Sequence, residues 1–233
     1  MTSSGWARTQ EGTLTLSVKI PTGTVTLDGD LVVPAGAKGL VLFAHGSGSG
    51  RLSPRNRAVA RALHEARFAT LLFDLLAPEE EELEAQTRHL RFNIELLASR
   101  LEDATDWVMR RPEAAGLAVG YFGASTGAAA ALVAAAGLPK SIRAVVSRGG
   151  RPDLARTALA QVRAPTLLIV GGDDLVVLNF NRDAQARLQC VSHLRIVAGA
   201  GHLFEEPGAL EEVSALAREW FDTHLHPPAD YPL

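Results

Sequence analysis

Six short, nearly unbroken apolar runs constrain this chain more than any other feature. They are Leu40–Ala44, Ala69–Phe73, Leu117–Phe122, Ala144–Val146, Thr166–Val170 and Leu194–Val197. Runs of that length, without polar alternation, predict strands covered on both faces, as in a parallel sheet. The segments between them have helical patterns. Ser53-Pro54 is an N-cap followed by proline at the first helical position, predicting a helix through Arg67. Leu97, Leu101, Ala104 and Val108 form one stripe on a long helix expected from about Arg88 to Arg110. Asn179–Leu188 and Leu210–His224 supply two more. Ahead of them, Thr13–Ile20 and Thr24–Val33 alternate around Pro-Thr-Gly, predicting an antiparallel hairpin. A hairpin followed by repeated strand–helix units implies one doubly wound, mostly parallel α/β domain over residues 1–233. The acidic run Pro78–Glu82 reads as a solvated loop or helix start without a functional role.

Composition narrows the function classes. A formal net charge of −3 leaves no basic footprint for nucleic acid or an anionic membrane. The opening MTSSGWARTQEGTL lacks the basic-then-apolar order of a signal peptide, and no long uncharged apolar segment predicts a membrane span. The single cysteine, Cys190, excludes an internal disulfide and a cysteine-built zinc site, and a cytoplasmic location is expected.

In a doubly wound sheet, chemistry collects at the carboxyl ends of the strands. The strand Leu117–Phe122 leads into Gly123-Ala124-Ser125-Thr126-Gly127 and then an alanine-rich helix. That is the strand–turn–helix setting of a G-x-S-x-G nucleophile elbow. Taken alone, the pentapeptide also has a packing alternative, a close strand–helix crossing built from Gly and Ala. A serine hydroxyl becomes a nucleophile only beside a base that a carboxylate orients. The strand Thr166–Val170 ends in Gly171-Gly172-Asp173-Asp174, and Leu194–Val197 ends in Gly199-Ala200-Gly201-His202. The order Ser125, then Asp174 or Asp173, then His202 suits such a site. His64, His89, His193, His224 and His226 lie in helical stretches, at a strand start or in the tail, and read as surface or packing residues. The remaining strand end, Phe43-Ala44-His45-Gly46-Ser47-Gly48-Ser49-Gly50, has neither the P-loop ending nor the G-x-G-x-x-G spacing. Its backbone suits an oxyanion hole, with the Ser47 and Thr126 amides as the two donors.

These residues resemble the α/β-hydrolase superfamily, and within it the dienelactone-hydrolase-like group, over nearly the whole chain. The segments carrying the likeness are LVLFAHGSGSG, ATLLFDLL, GYFGASTGAAAALVAAA, VVSRGGRPDLA, APTLLIVGGDDLVV and GAGHLFEEPGALEEV. The acid pattern of that fold, Gly-x-x-Asp-x-x-Val, matches Gly171, Asp174 and Val177 and favours Asp174 over Asp173. Dienelactone hydrolases proper carry cysteine at the elbow, where this chain has Ser125, and an early glutamate, where it has HGSGSG.

The resemblance implies a cofactor-free and metal-free esterase or lactonase that works through an acyl-enzyme. Its expected substrate is a small carboxylic ester or lactone, with phosphotriesters as a side activity. Only about sixteen residues, Ser147 to Arg163, separate two successive strands, so no cap domain is expected there. His45, Arg55 and Arg148 are candidate substrate contacts; the alternative for the arginines is pairing with acids such as Asp74, Asp153 or Glu205. A non-catalytic small-ligand binder and an acyltransferase remain open alternatives, and the sequence does not set the oligomeric state.

Overall fold

The computed structural model describes residues 7–10 and 12–226. The opening and closing residues of the chain, on which the reading of a leader-free start depends, lie outside them. The strands are β1 (Ala7–Gln10), β2 (Thr13–Thr22), β3 (Val25–Val33), β4 (Leu40–Ala44), β5 (Ala69–Phe73), β6 (Val119–Ala124), β7 (Ile142–Arg148), β8 (Thr166–Gly171) and β9 (Ser192–Val197). The helices are α1 (Pro54–Glu65), α2 (Pro78–Thr87), α3 (Ile94–Met109), α4 (Thr126–Gly137), α5 (Leu175–Arg187) and α6 (Ala209–His224). One sheet holds all nine strands in the order β1-β2-β3-β5-β4-β6-β7-β8-β9. β1, β2, β3 and β5 pair antiparallel in succession, and from β5 through β9 every pairing is parallel. This is the expected hairpin-led, doubly wound α/β sheet.

Two cores lie on opposite faces of that sheet. Leu42, Leu71, Tyr121, Val145 and Leu168 face α3 and α4 on one side. Their neighbours Val41, Phe43, Phe122, Val146 and Ile169 face α1 and α6 on the other. Alternate residues of one strand thus enter different cores, which is why these strands are apolar throughout. β9 departs from the expectation: as the edge strand it leaves His193, Arg195 and Ile196 exposed. The chain leaves β4 toward α1 on one face and leaves β6 toward α4 on the other, although β4 and β6 are neighbours. The crevice between their carboxyl ends is the topological switch point, where ligands bind in open α/β sheets.

Several elements differ from the sequence reading. The helix expected over Arg88–Arg110 begins only at Ile94, where Asn93 Oδ1 accepts the Leu96 N–H. Before it, Arg88 turns left-handed and residues 90–92 make a single 3₁₀ turn. The acidic run is the start of α2 and braces its surroundings. Glu80 caps the Ala77 N–H at 2.8 Å and pairs with Arg100 at 2.8 Å. The fully buried Glu84 accepts the Leu90 N–H and pairs with Arg91, folding the chain back after α2. β1 was not read from the sequence. The N-terminus of α1 matches the reading, with Ser53 Oγ accepting from the Asn56 N–H. Between β7 and β8 the chain makes only 3₁₀ turns over Pro152–Gln161, so no cap domain is inserted there.

Candidate active site

Ser125 sits on the turn between β6 and α4 with φ 51° and ψ −120°. A non-glycine residue in that region costs on the order of 1–3 kcal/mol and persists only where its surroundings enforce it. Here they do. A Cβ on Gly127 would lie 2.2 Å from the Ala44 carbonyl oxygen, and one on Gly123 would lie 2.4 Å from the Ala128 Cα. The elbow is therefore pressed against β4 on one side and its own helix on the other. The Ser125 N–H donates to the Arg148 carbonyl at 3.2 Å, and its carbonyl accepts the Arg151 N–H at 3.0 Å. The end of β7 holds the turn in place.

Asp174 and His202 come together at the ends of the next two strands. The His202 Nδ1–H donates to Asp174 Oδ2 at 2.7 Å, leaving Nε2 as the basic nitrogen. The other carboxylate oxygen of Asp174 accepts the Val177 N–H at the start of α5, which fixes the rotamer. Asp173 is exposed, its side chain makes no hydrogen bond to His202, and its N–H donates to the Ala200 carbonyl at 3.0 Å. The histidine loop is pinned by Glu206 Oε1, which accepts the Gly201 N–H at 3.0 Å. His202 packs on the β7 end that anchors Ser125, its Nδ1 being 3.6 Å from where a Gly149 Cβ would stand. Among the described residues no hydrogen bond joins the Ser125 hydroxyl to His202.

The HGSG loop approaches the elbow from β4, and a Cβ on Gly46 would stand 3.0 Å from the Ser125 Cβ. Ser47 and Thr126 meet, but not as two free amides. The Ser47 N–H donates to the Thr126 side-chain hydroxyl at 2.9 Å. Sequence reasoning missed this contact because it considered only the backbone of Thr126. The expectation that His45 contacts substrate is corrected. His45 is buried, its Nδ1–H donates to the Gly46 carbonyl at 3.0 Å, and its Nε2 accepts the Leu75 N–H at 3.0 Å. Burial lowers its pKa, so the neutral ring braces two loops and has no nitrogen left for a ligand.

The arginines separate into two kinds. Arg55 pairs with Glu205 at 2.9 Å, and Arg51 with Asp74 at 3.0 Å, so both brace loops. Among the described residues Arg148 has no such partner. It is 8% exposed, its Nε and one Nη lack hydrogen-bond partners, and its guanidinium lies 6.0 Å from the centre of the Phe204 ring. Burial, and then the nearby charge of Arg55, lower its pKa to about 10, which leaves it cationic at neutral pH. Beside the HGSG loop, a cavity of about 430 Å³ is lined by residues including Gly48, Ser49, Asp74, Glu81 and Arg91.

Comparison with known proteins places this geometry. The dienelactone hydrolase family matches residues 27–224. The chain belongs to that family. A crystal structure of a dienelactone hydrolase from Anabaena variabilis is similar at 59% identity and a TM-score of 0.91, covering 93% of this chain and 100% of that one. A dienelactone hydrolase-like promiscuous phosphotriesterase from metagenomic libraries shares the fold at 18% identity and a TM-score of 0.75, covering 92% of this chain and 99% of that one. A Mycobacterium tuberculosis H37Rv protein named "Putative phosphoribosyl transferase" is 59% identical over 211 residues, which are 91% of this chain and 47% of that protein. The chain thus spans about half the length of the curated relatives it matches.

Proposed function

We propose that this family member is a serine hydrolase of small carboxylic esters or lactones. Ser125 is the nucleophile, His202 the base and Asp174 its orienting carboxylate. The observation that carries the reading is the 2.7 Å Asp174–His202 pair, held after β8 and β9 and packed on the β7 end that anchors a strained, sterically enforced serine elbow. His202 Nε2 takes the Ser125 proton as Oγ attacks the ester carbonyl. The tetrahedral oxyanion is held at the Ser47–Thr126 corner. His202 then protonates the leaving alcohol and activates water to clear the acyl-enzyme. No step calls on a metal or organic cofactor.

In the Ser125→Ala protein, p-nitrophenyl acetate turnover is expected to fall by on the order of a millionfold with folding intact. A fluorophosphonate probe should label the wild type at Ser125. Unlabelled Ser125 would favour a ligand-binding protein without turnover, and products carrying an added alcohol or thiol would indicate acyl transfer. Attack at phosphorus suits the same groups, so phosphotriester cleavage is a proposed side activity. The transferase name of the mycobacterial relatives concerns proteins about twice this length, and the family match over residues 27–224 supports hydrolysis for this part.

Arg148 adds a proposed preference. A buried guanidinium with nitrogens unpaired among the described residues, at the end of β7, favours substrates with an anionic group. Arg148→Ala should lower kcat/KM on carboxylated esters by about tenfold or more, as loss of a charged hydrogen bond worth about 1.5–3 kcal/mol requires, and leave neutral esters much less affected. Equal losses on both would rule out direct recognition.

A further inference from the structure

We infer that the Thr126 side-chain hydroxyl donates one of the oxyanion hydrogen bonds, with the Ser47 amide polarising it from behind. This deepens the acyl-enzyme reading and rests on it. The Ser47 N–H is spent on Thr126 Oγ1, 2.9 Å away. For that N–H to serve an oxyanion directly, the hydroxyl would have to vacate its place. Thr126 is 2% exposed, β-branched, and lies in the first turn of α4, so its χ1 has few alternatives.

The hydroxyl also has a donor to spare. A threonine oxygen accepts and its hydrogen donates. Here the oxygen accepts from Ser47, and among the described residues no group takes the hydrogen. Accepting one hydrogen bond strengthens the next one a hydroxyl donates. The place is right as well. Thr126 follows the nucleophile, and the loop carrying Ser47 comes close enough that a Gly46 Cβ would stand 3.0 Å from the Ser125 Cβ. A carbonyl under attack by Ser125 therefore turns its oxygen toward this gap. As Oγ bonds to carbon, the carbonyl π pair moves onto oxygen, and the Thr126 O–H and the α4 amide face that charge. The hydroxyl proton stays on threonine throughout. When the intermediate collapses, the pair returns to re-form the carbonyl, and the leaving alkoxide takes its proton from His202.

The test compares Thr126→Val, which keeps the shape and backbone amide, with Thr126→Ser, which keeps the hydroxyl. Thr126→Ala is a second hydroxyl-free variant that adds no bulk. Steady-state hydrolysis of p-nitrophenyl acetate is measured beside inhibition by a trifluoromethyl ketone, which forms a tetrahedral oxyanion adduct. Loss of an oxyanion donor predicts a fall in kcat of about 10²–10³-fold for Val and Ala, with KM nearly unchanged and ketone affinity reduced in parallel. Ser should restore kcat to near the wild-type value. Wild-type kcat in the Val or Ala variant, or an equal loss in the Ser variant, would overturn the assignment. Ser125→Ala separates the levels. If it remains active, the acyl-enzyme reading itself fails; if it is dead while the hydroxyl-free variants turn over normally, only the Thr126 role fails.

Discussion

At position 127 an added methyl group would stand 2.2 Å from the Ala44 carbonyl oxygen and 2.3 Å from that of His45. Both are backbone atoms, one at the last residue of β4 and one just after it, so neither yields without moving the end of the strand. Gly127→Ala is therefore expected to lose at least about 1–3 kcal/mol, typical of overpacking, together with the proposed esterase activity, in a paired thermal-melt and turnover assay. The two neighbouring acids give a second contrast. Asp174→Asn replaces the carboxylate that holds the imidazole tautomer, and should lower kcat by about 10⁴-fold. Asp173→Asn alters an exposed side chain and should leave kcat nearly unchanged. Much of this was legible in residue order: the small residues around Ser125, and Asp174 and His202 at later strand ends, were all recognisable as a pattern. The pairing of Arg55 with Glu205 stood only as one of several alternatives, because the partners lie far apart in sequence and meet only when α1 and the histidine loop pack.

The helices show how far periodicity reaches. The stripe of Leu97, Leu101, Ala104 and Val108 was read correctly, and all four are buried. Leu101 is fully buried on α3 against the sheet, so Leu101→Ala should cost about 2–5 kcal/mol in denaturant unfolding, with little change in the slope. The start of that helix was misplaced because residues 88–92 are consistent with helix locally. What breaks the helix is a side-chain contact that periodicity does not register: the buried Glu84 carboxylate accepts the Leu90 N–H and pairs with Arg91, and so outweighs helical propensity. The alanines of α4 serve packing, as their composition suggested. Six of them are buried, among them Ala128–Ala131, because α4 lies between the sheet, α3 and the turns after β7.

On the scale of the whole molecule, two histidines tie stability to pH. Burial lowers the pKa of His45, and it lowers that of His64 to about 4, a neighbouring Arg61 adding to the second. In the unfolded chain both titrate near 6.5. Between the folded and unfolded values the unfolded state holds more protons, so stability rises with pH across that interval. It is full above about pH 6.5, declines as the pH falls below that, and the His64 part of the loss is complete near pH 4. Melting temperatures from pH 8 to pH 4 should fall in this direction. His64→Gln, which keeps a partner for the buried Thr70 hydroxyl, should flatten the curve. A melting temperature that rises on acidification below pH 6.5 would contradict the linkage. No helix among the described residues is long and apolar enough to cross a membrane.

The linear order of apolar runs, glycines and chemical groups determined the α/β class, the hairpin-led parallel sheet, and which side chains stand at strand ends. Those are properties of period, steric size and order, all present before folding. Tertiary structure alone decided the rest: that β4 and β6 adjoin at the switch point, that His45 spends both nitrogens on backbone, that Arg148 is buried with no ion-pair partner among the described residues while Arg55 has one, and that the Ser47 amide meets the Thr126 hydroxyl. Hydrogen bonds and desolvation depend on distances of a few ångströms between residues distant in sequence, and only the packed sheet sets those distances.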